Sequence, residues 1–137
     1  MYHRDSPLVR LIWAGPLTVL ISVVAVLLVR IVAVLILQPD VRFAPRTLRP
    51  PIFDTVILGT GAVLVFLALG RWSSNPVRVY RFLAAGVLAV SLTPDVALAM
   101  RHWFGGAWPE AFALMAMHVA VWALCVTLLP GLTAAKN

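Results

Sequence analysis

Four long apolar stretches divide the chain, separated by short polar segments. Within each stretch, apolar residues follow one another almost without interruption, whereas a soluble helix would intersperse polar positions at helical spacing. A helix of about 20 residues crosses a hydrocarbon core of about 30 Å. The pattern therefore predicts an all-α, polytopic membrane protein, with a compact bundle of four transmembrane helices forming a single domain over residues 1–137. These helices are predicted at residues 11–37, 52–69, 79–100 and 111–129.

The first stretch is longer than a bilayer requires. Roughly 27 helical residues would reach about 40 Å, so we expect this helix to tilt, kink or leave one end in the interface. The segments between the stretches have the composition of loops: prolines and arginines at residues 38–51, serines, asparagine and proline at 71–78, and glycines and proline at 101–110. Tryptophans near these segments are typical of the membrane interface: Trp13, Trp72, Trp103 and Trp108.

Composition supports lipid as the surrounding solvent and excludes several functions. Hydrophobic residues make up 62% of the chain and charged residues only 12%, with a mean hydropathy of +0.98. The net charge of +6 does not indicate nucleic-acid binding, because the arginines flank the apolar stretches instead of gathering on one soluble face. The single cysteine, Cys125, excludes an internal disulfide, a CxxC redox motif and a multi-cysteine metal site.

Orientation follows from lysines and arginines in the short loops. With four spans, the N-terminus, the 71–81 connector and the C-terminus lie on one side of the membrane. That side carries six basic residues against four on the other, which favours cytoplasmic termini and a cell-membrane location. The six are Arg4, Arg10, Arg71, Arg78, Arg81 and Lys136; the four are Arg42, Arg46, Arg49 and Arg101.

A few polar residues inside the stretches are the candidates for a functional site. Counting along the predicted helices places Arg30, Asp54, Asp95 and His118 in the same half of the bilayer. A charged side chain near a helix centre costs about 2.5–3.5 kcal/mol, so such residues usually have a partner or a function. Together with the Thr93 hydroxyl, these residues form a predicted intramembrane polar layer that could bind a ligand.

Proline adds a predicted break next to Asp95. Pro94 cannot donate a hydrogen bond to the carbonyl of Val90, so the third helix should kink there. A freed carbonyl, a hydroxyl and a carboxylate would then lie close together.

Each of these residues also has a purely structural interpretation. Arg30 could pair with Asp95 or Asp54, or its side chain could extend to the headgroups. Asp95 could fix helix register, and His118 could donate an interhelical hydrogen bond. Met115, His118, Trp122 and Cys125 recur at helical spacing and predict a packing face. A bis-histidine haem is not expected, because His3 and His102 lie outside the spans.

Three short segments resemble a known family. Residues 78–85 (RVYRFLAA), 91–95 (SLTPD) and 115–118 (MAMH), with the pair Val29 and Arg30, are similar to a bacterial family of small four-helix membrane proteins known only as a domain of unknown function. The resemblance covers nearly the whole chain. It implies a bacterial membrane protein with four helices, and it implies no activity.

The sequence thus predicts a non-enzymatic protein without a cofactor or bound metal. Its expected role is that of a structural or accessory subunit that contacts membrane lipids and packs against itself or a larger membrane complex. A second hypothesis is a transporter, channel or sensor component in which Arg30, Asp95 and His118 handle an ion, a proton or a small anionic solute. A membrane enzyme is less favoured, because no nucleophile motif or metal-ligand cluster accompanies the carboxylates.

Overall fold

A computed structural model describes residues 7–37, 49–103 and 106–133 of the protein. Five helical elements follow one another in this part of the chain. They are α1 (Pro7–Leu37), α2 (Arg49–Trp72), α3 (Pro76–Ser91), α4 (Thr93–Arg101) and α5 (Trp108–Thr133). Since α3 and α4 together form one membrane-length segment, Pro76–Arg101, four segments are long and apolar enough to cross a membrane. The all-α class and the four spans are confirmed.

Proline determines where the third span begins and where it breaks. Pro76 occupies the first turn of α3, directly after the N-cap residue Asn75. Pro94 lies in the first turn of α4, and the helix is interrupted at Leu92. Leu92 itself keeps right-handed helical dihedrals, and its N–H and carbonyl bond to Leu88 and Val96 at 3.1 Å each. The hydroxyl of Ser91 also donates to the carbonyl of Leu88, at 2.8 Å. The chain therefore divides into α3 and α4 next to Pro94, and the predicted kink beside Asp95 stays a prediction.

The first helix packs against both α2 and α5 through small side chains. Ala14, Thr18, Ser22 and Val26 recur every four residues on α1 and are all buried. Close approach to α2 depends on glycine, because a Cβ at Gly15 would lie 2.8 Å from a methyl carbon of Val63. Gly59 of α2 performs the same function against Val19, where the distance would be 3.2 Å. Because nearly all residues of α1 are apolar, the sequence pattern does not distinguish this buried face from the others.

Two apolar clusters hold the bundle together at different heights. The larger cluster joins α2, α3 and α5 and contains Phe66, Tyr80, Cys125, Val126 and Leu129. The smaller joins α4 to α5 through Leu98, Ala99 and Ala111. Much of the remaining helix surface exposes large apolar side chains, as expected for contact with lipid. The predicted interfacial tryptophans are among these exposed residues: Trp13, Trp72, Trp103 and Trp108.

Part of the sequence interpretation falls on residues outside the described ranges. The basic residues Arg4, Arg42, Arg46 and Lys136, used in the orientation count, lie there. Most of the first connector, residues 38–48, also lies there. The single-domain organisation and the topology of the termini therefore stay predictions.

Candidate functional site

Two of the predicted polar residues meet between α4 and α5. Nε2 of His118 lies 3.4 Å from Oδ2 of Asp95. The Asp95 side chain is only 7% exposed, whereas that of His118 is 28% exposed. The carboxylate is therefore covered by protein, and the imidazole stands between it and the more accessible space.

Local sequence explains why the carboxylate can lie there. Asp95 is in the first turn of α4, because Leu92 and Pro94 end one helix and start the next. Helical hydrogen bonds run from Leu92 N–H to Leu88 and from Val96 N–H to Leu92, so the carboxylate lies inside one span. His118 is presented by the opposing face of α5, whose packing against α4 is completed by Leu98 and Ala111.

The pair can hold a proton in more than one arrangement. Imidazole is the side chain that changes charge most readily near neutral pH. Protonated His118 would form an ion pair with the Asp95 carboxylate, and neutral His118 could only direct an N–H toward it. At 3.4 Å the contact is an ion-pair distance, and Oδ2 of Asp95 has no hydrogen-bond partner in the described part of the chain. Both arrangements link the helices, and the difference between them is one proton.

The other predicted site residues, Arg30, Asp54 and Thr93, differ from Asp95 and His118 in their burial and contacts. The cationic partner found within 4 Å of Asp95 is His118. The alternatives for Arg30, pairing with Asp95 or Asp54 or extending to the headgroups, stay predictions. Arg30 is half-buried on α1. The Thr93 side chain is exposed and its hydroxyl donates to the carbonyl of Ala89 at 3.5 Å. Asp54 is exposed near the start of α2. The direction of each side chain depends on packing, and the common level of these residues in the membrane stays a prediction.

A cavity of about 450 Å³ lies beside the pair. Side chains of α2, α3 and α5 form most of its wall, and α1 contributes Val26. His118 and Asp54 border it at the level of Ser91, and Tyr80, Trp122 and Cys125 border it near the larger apolar cluster. Most of the wall is apolar. Tyr80 and Cys125 belong both to this wall and to the larger apolar cluster, so the cavity adjoins that cluster directly.

Three polar residues near this cavity were not predicted as site residues. The polar atoms of all three side chains are buried. The Ser22 hydroxyl is within hydrogen-bonding reach of the Cys125 thiol, and the Tyr80 hydroxyl and the Trp122 indole N–H have no hydrogen-bond partner in the described part of the chain. Tyr80 lies between Arg78 and Arg81, a context typical of the membrane interface, so the sequence does not reveal its burial. The burial of Ser22 could have been predicted, because it follows Ala14 and Thr18 at a spacing of four residues and so lies on the same helix face.

Comparison with known proteins identifies a family and nothing more specific. No significant match was found among the curated proteins or the solved structures. Residues 7–135 match the model of a family of unknown function, DUF6069. The match covers nearly the whole chain and agrees with the four-helix family that the sequence resembled. This multi-pass, four-span protein therefore belongs to the DUF6069 family of unknown function.

Proposed function

We propose that this protein is a non-enzymatic structural or accessory subunit that packs within the bilayer of the cell membrane. The contact between Asp95 and His118 carries the proposal, because it uses the buried carboxylate of the site to join α4 to α5. The buried hydroxyls of Thr18 and Thr55, in contrast, bond to their own helices. The basic residues favour cytoplasmic termini, and an external location of a reporter fused to the C-terminus would contradict this orientation.

A surface on α3 supports packing against another helix. Ala85, Gly86 and Ala89 are exposed, and a Cβ at Gly86 would contact nothing within 4 Å. Small residues let helix backbones approach closely, and close packing is a main source of helix association in lipid. The occupant of this surface is proposed to be a second copy of the chain or a subunit of a larger membrane complex.

Site-specific photo-crosslinking tests the accessory role. With p-benzoylphenylalanine at Ala89, irradiation of intact membranes should give a discrete cross-linked protein band, because a partner helix would lie against that position. Leu20 is the matched control, since it is exposed on α1, away from this surface. Purification of the band in mild detergent would distinguish a second copy from another subunit. Absence of a band at Ala89, or equal bands from both positions, would contradict the proposal.

A second function, handling a proton, an ion or a small anionic solute, is favoured by one observation. His118 contacts the covered carboxylate of Asp95 and also borders the cavity. A proton could therefore pass between the cavity and the carboxylate through the imidazole. Broken helices such as the α3–α4 segment are also common at transporter binding sites.

Proton flux into liposomes that contain the purified protein tests this second function. Flux should exceed that of empty liposomes and fall to their level in Asp95→Asn and His118→Asn, because both variants remove a titratable group. His102→Asn is the control, since His102 is exposed at the end of α4 in a left-handed conformation that asparagine tolerates. Flux equal to that of empty liposomes, or unchanged in Asp95→Asn, would reject proton transport.

A further inference from the structure

The cavity extends along the α2 helix for the depth of one membrane leaflet. Its α2 wall includes Asp54, Leu58, Gly61 and Val65, which recur at helical spacing on one face. From Asp54 to Val65 the helix rises by about 16 Å at 1.5 Å per residue. One leaflet is half of a hydrocarbon core of about 30 Å. The cavity therefore has the length of a single lipid acyl chain.

The contact between Phe66 and Tyr80 shows which ends of α2 and α3 lie at the same level. Their ring centroids are 5.0 Å apart, and the two helices are consecutive spans that run in opposite directions. Asp54 lies twelve residues before Phe66, and Leu92 lies twelve residues after Tyr80. Asp54 is therefore level with the end of α3, where Ser91 also lines the cavity. The carboxylate lies at one end of the cavity, and the two aromatic rings lie at the other.

The cavity is accessible from the lipid phase between α2 and α3. Ile57, Leu83 and Val87 line it and are also exposed on the outer surface of the bundle. All three lie within the apolar spans, so this surface faces hydrocarbon. Water fits poorly, because a largely apolar cavity tends to remain dry, whereas an acyl chain gains dispersion contacts with the wall. The surrounding lipid thus supplies a chain that fits the volume of about 450 Å³.

Asp54 gives this otherwise apolar cavity a negative charge at one end. Its side chain is exposed, so an atom of a ligand can reach the carboxylate. Asp54 is three residues after Pro51, the first residue of its span, and so lies about 5 Å from the end of the span, near the headgroups. A carboxylate at this depth favours a cationic partner. His118 also lines the cavity, but the charge of its protonated form is balanced by Asp95 at 3.4 Å.

Charge complementarity selects among the common headgroups. A headgroup with a phosphate and no amine would bring a second negative charge toward Asp54. A primary ammonium brings a positive charge and N–H donors, which form short, charge-assisted hydrogen bonds to a carboxylate. A quaternary ammonium has the charge but no N–H group. The primary amine is therefore the best match.

We propose that this cavity binds one phospholipid with a primary-amine headgroup. One acyl chain lies along the α2–α3 wall, and the ammonium donates hydrogen bonds to the Asp54 carboxylate. The site uses neither the Asp95–His118 contact nor the small-residue surface of α3, so it does not depend on the accessory role or on proton transport.

Native mass spectrometry tests the headgroup preference. The full-length protein, stripped of copurified lipid in dodecyl maltoside micelles, is titrated with dioleoyl phosphatidylethanolamine, phosphatidylcholine and phosphatidylglycerol in turn. One phosphatidylethanolamine molecule should bind about tenfold more tightly than either of the others, as expected for one charge-assisted hydrogen bond. Equal affinity for the three lipids, or tightest binding of phosphatidylglycerol, would overturn the proposal.

A charge-removing variant locates the ammonium. Asp54→Asn should reduce the affinity for phosphatidylethanolamine to that for phosphatidylcholine and leave the latter unchanged. Glu110→Gln is the matched control, because Glu110 does not line the cavity and glutamine can still accept the hydrogen bond from the Ala107 N–H. A tenfold preference that persists in Asp54→Asn would place the ammonium elsewhere and reject the site.

A cavity-filling variant locates the acyl chain. Gly61 lines the cavity and a Cβ there would meet nothing within 4 Å, so Gly61→Leu should fit and weaken the binding of all three lipids by at least about tenfold. Gly70→Leu is the control on the same helix, where a Cβ also meets nothing within 4 Å. Circular dichroism verifies the fold of each variant. Equal binding in the two glycine variants would mean that the lipid lies outside the cavity and would overturn the proposal.

Discussion

Replacing Asp95 by alanine is expected to lower the free energy of unfolding by about 2 kcal/mol. The variant removes the partner of His118 and leaves a gap in the contact between α4 and α5. Breaking a fully buried pair typically costs about 3–5 kcal/mol, and the partial exposure of His118 reduces that figure. Unfolding in mixed detergent micelles, followed by circular dichroism, measures the change.

Asp54 provides the matched control for this prediction. It is a second carboxylate within a span but is exposed, so Asp54→Ala should change stability by less than about 0.5 kcal/mol. A double-mutant cycle with His118→Ala isolates the pair, and we expect a coupling of about 1–2 kcal/mol. Equal effects of the two aspartate variants, or a coupling near zero, would show that the pair does not hold the helices together.

Replacing Leu129 by alanine is expected to have the largest effect on stability, a loss of about 3 kcal/mol. Leu129 is 0% exposed and lies in the cluster that joins α2, α3 and α5. In lipid the cost arises from lost packing contacts and the space left behind, because transfer from water contributes little there. The same micelle unfolding assay measures the change.

Leu64→Ala is the control for the Leu129 variant. Leu64 is 61% exposed on α2, where lipid can fill the volume that the smaller side chain leaves. Its effect should stay below about 0.5 kcal/mol. Similar losses in the two variants would mean that the larger apolar cluster does not carry the stability of the bundle.

Much of the fold could be predicted from the order of residues. Apolar stretches of membrane length predicted the four spans, because every backbone group in hydrocarbon must be bonded within its own helix. Pro94 predicted the interruption of the third span, since a residue without an N–H cannot continue the helical bonding. Both predictions depend on properties local to one segment.

The candidate site was predicted only in part. Counting residues placed Asp95 and His118 at one height, and their contact at 3.4 Å agrees with that. Counting residues along the helices predicted Arg30 as a partner of Asp95 just as well as His118. It did not predict that Tyr80 is buried. Height along a helix follows from a rise of about 1.5 Å per residue, whereas the partner of a side chain depends on helix rotation and on the neighbour it faces.

The sequence by itself predicted that this protein is surrounded by lipid, and it predicted the four spans, which the structure has. Tertiary structure decided which groups meet, where the helices separate to leave a cavity, and which donors remain unpaired beside it. The physical reason is that lipid imposes its constraints on each helix separately. Contacts between helices depend on small differences in packing, such as those at Gly15 and Gly59, which no single segment specifies.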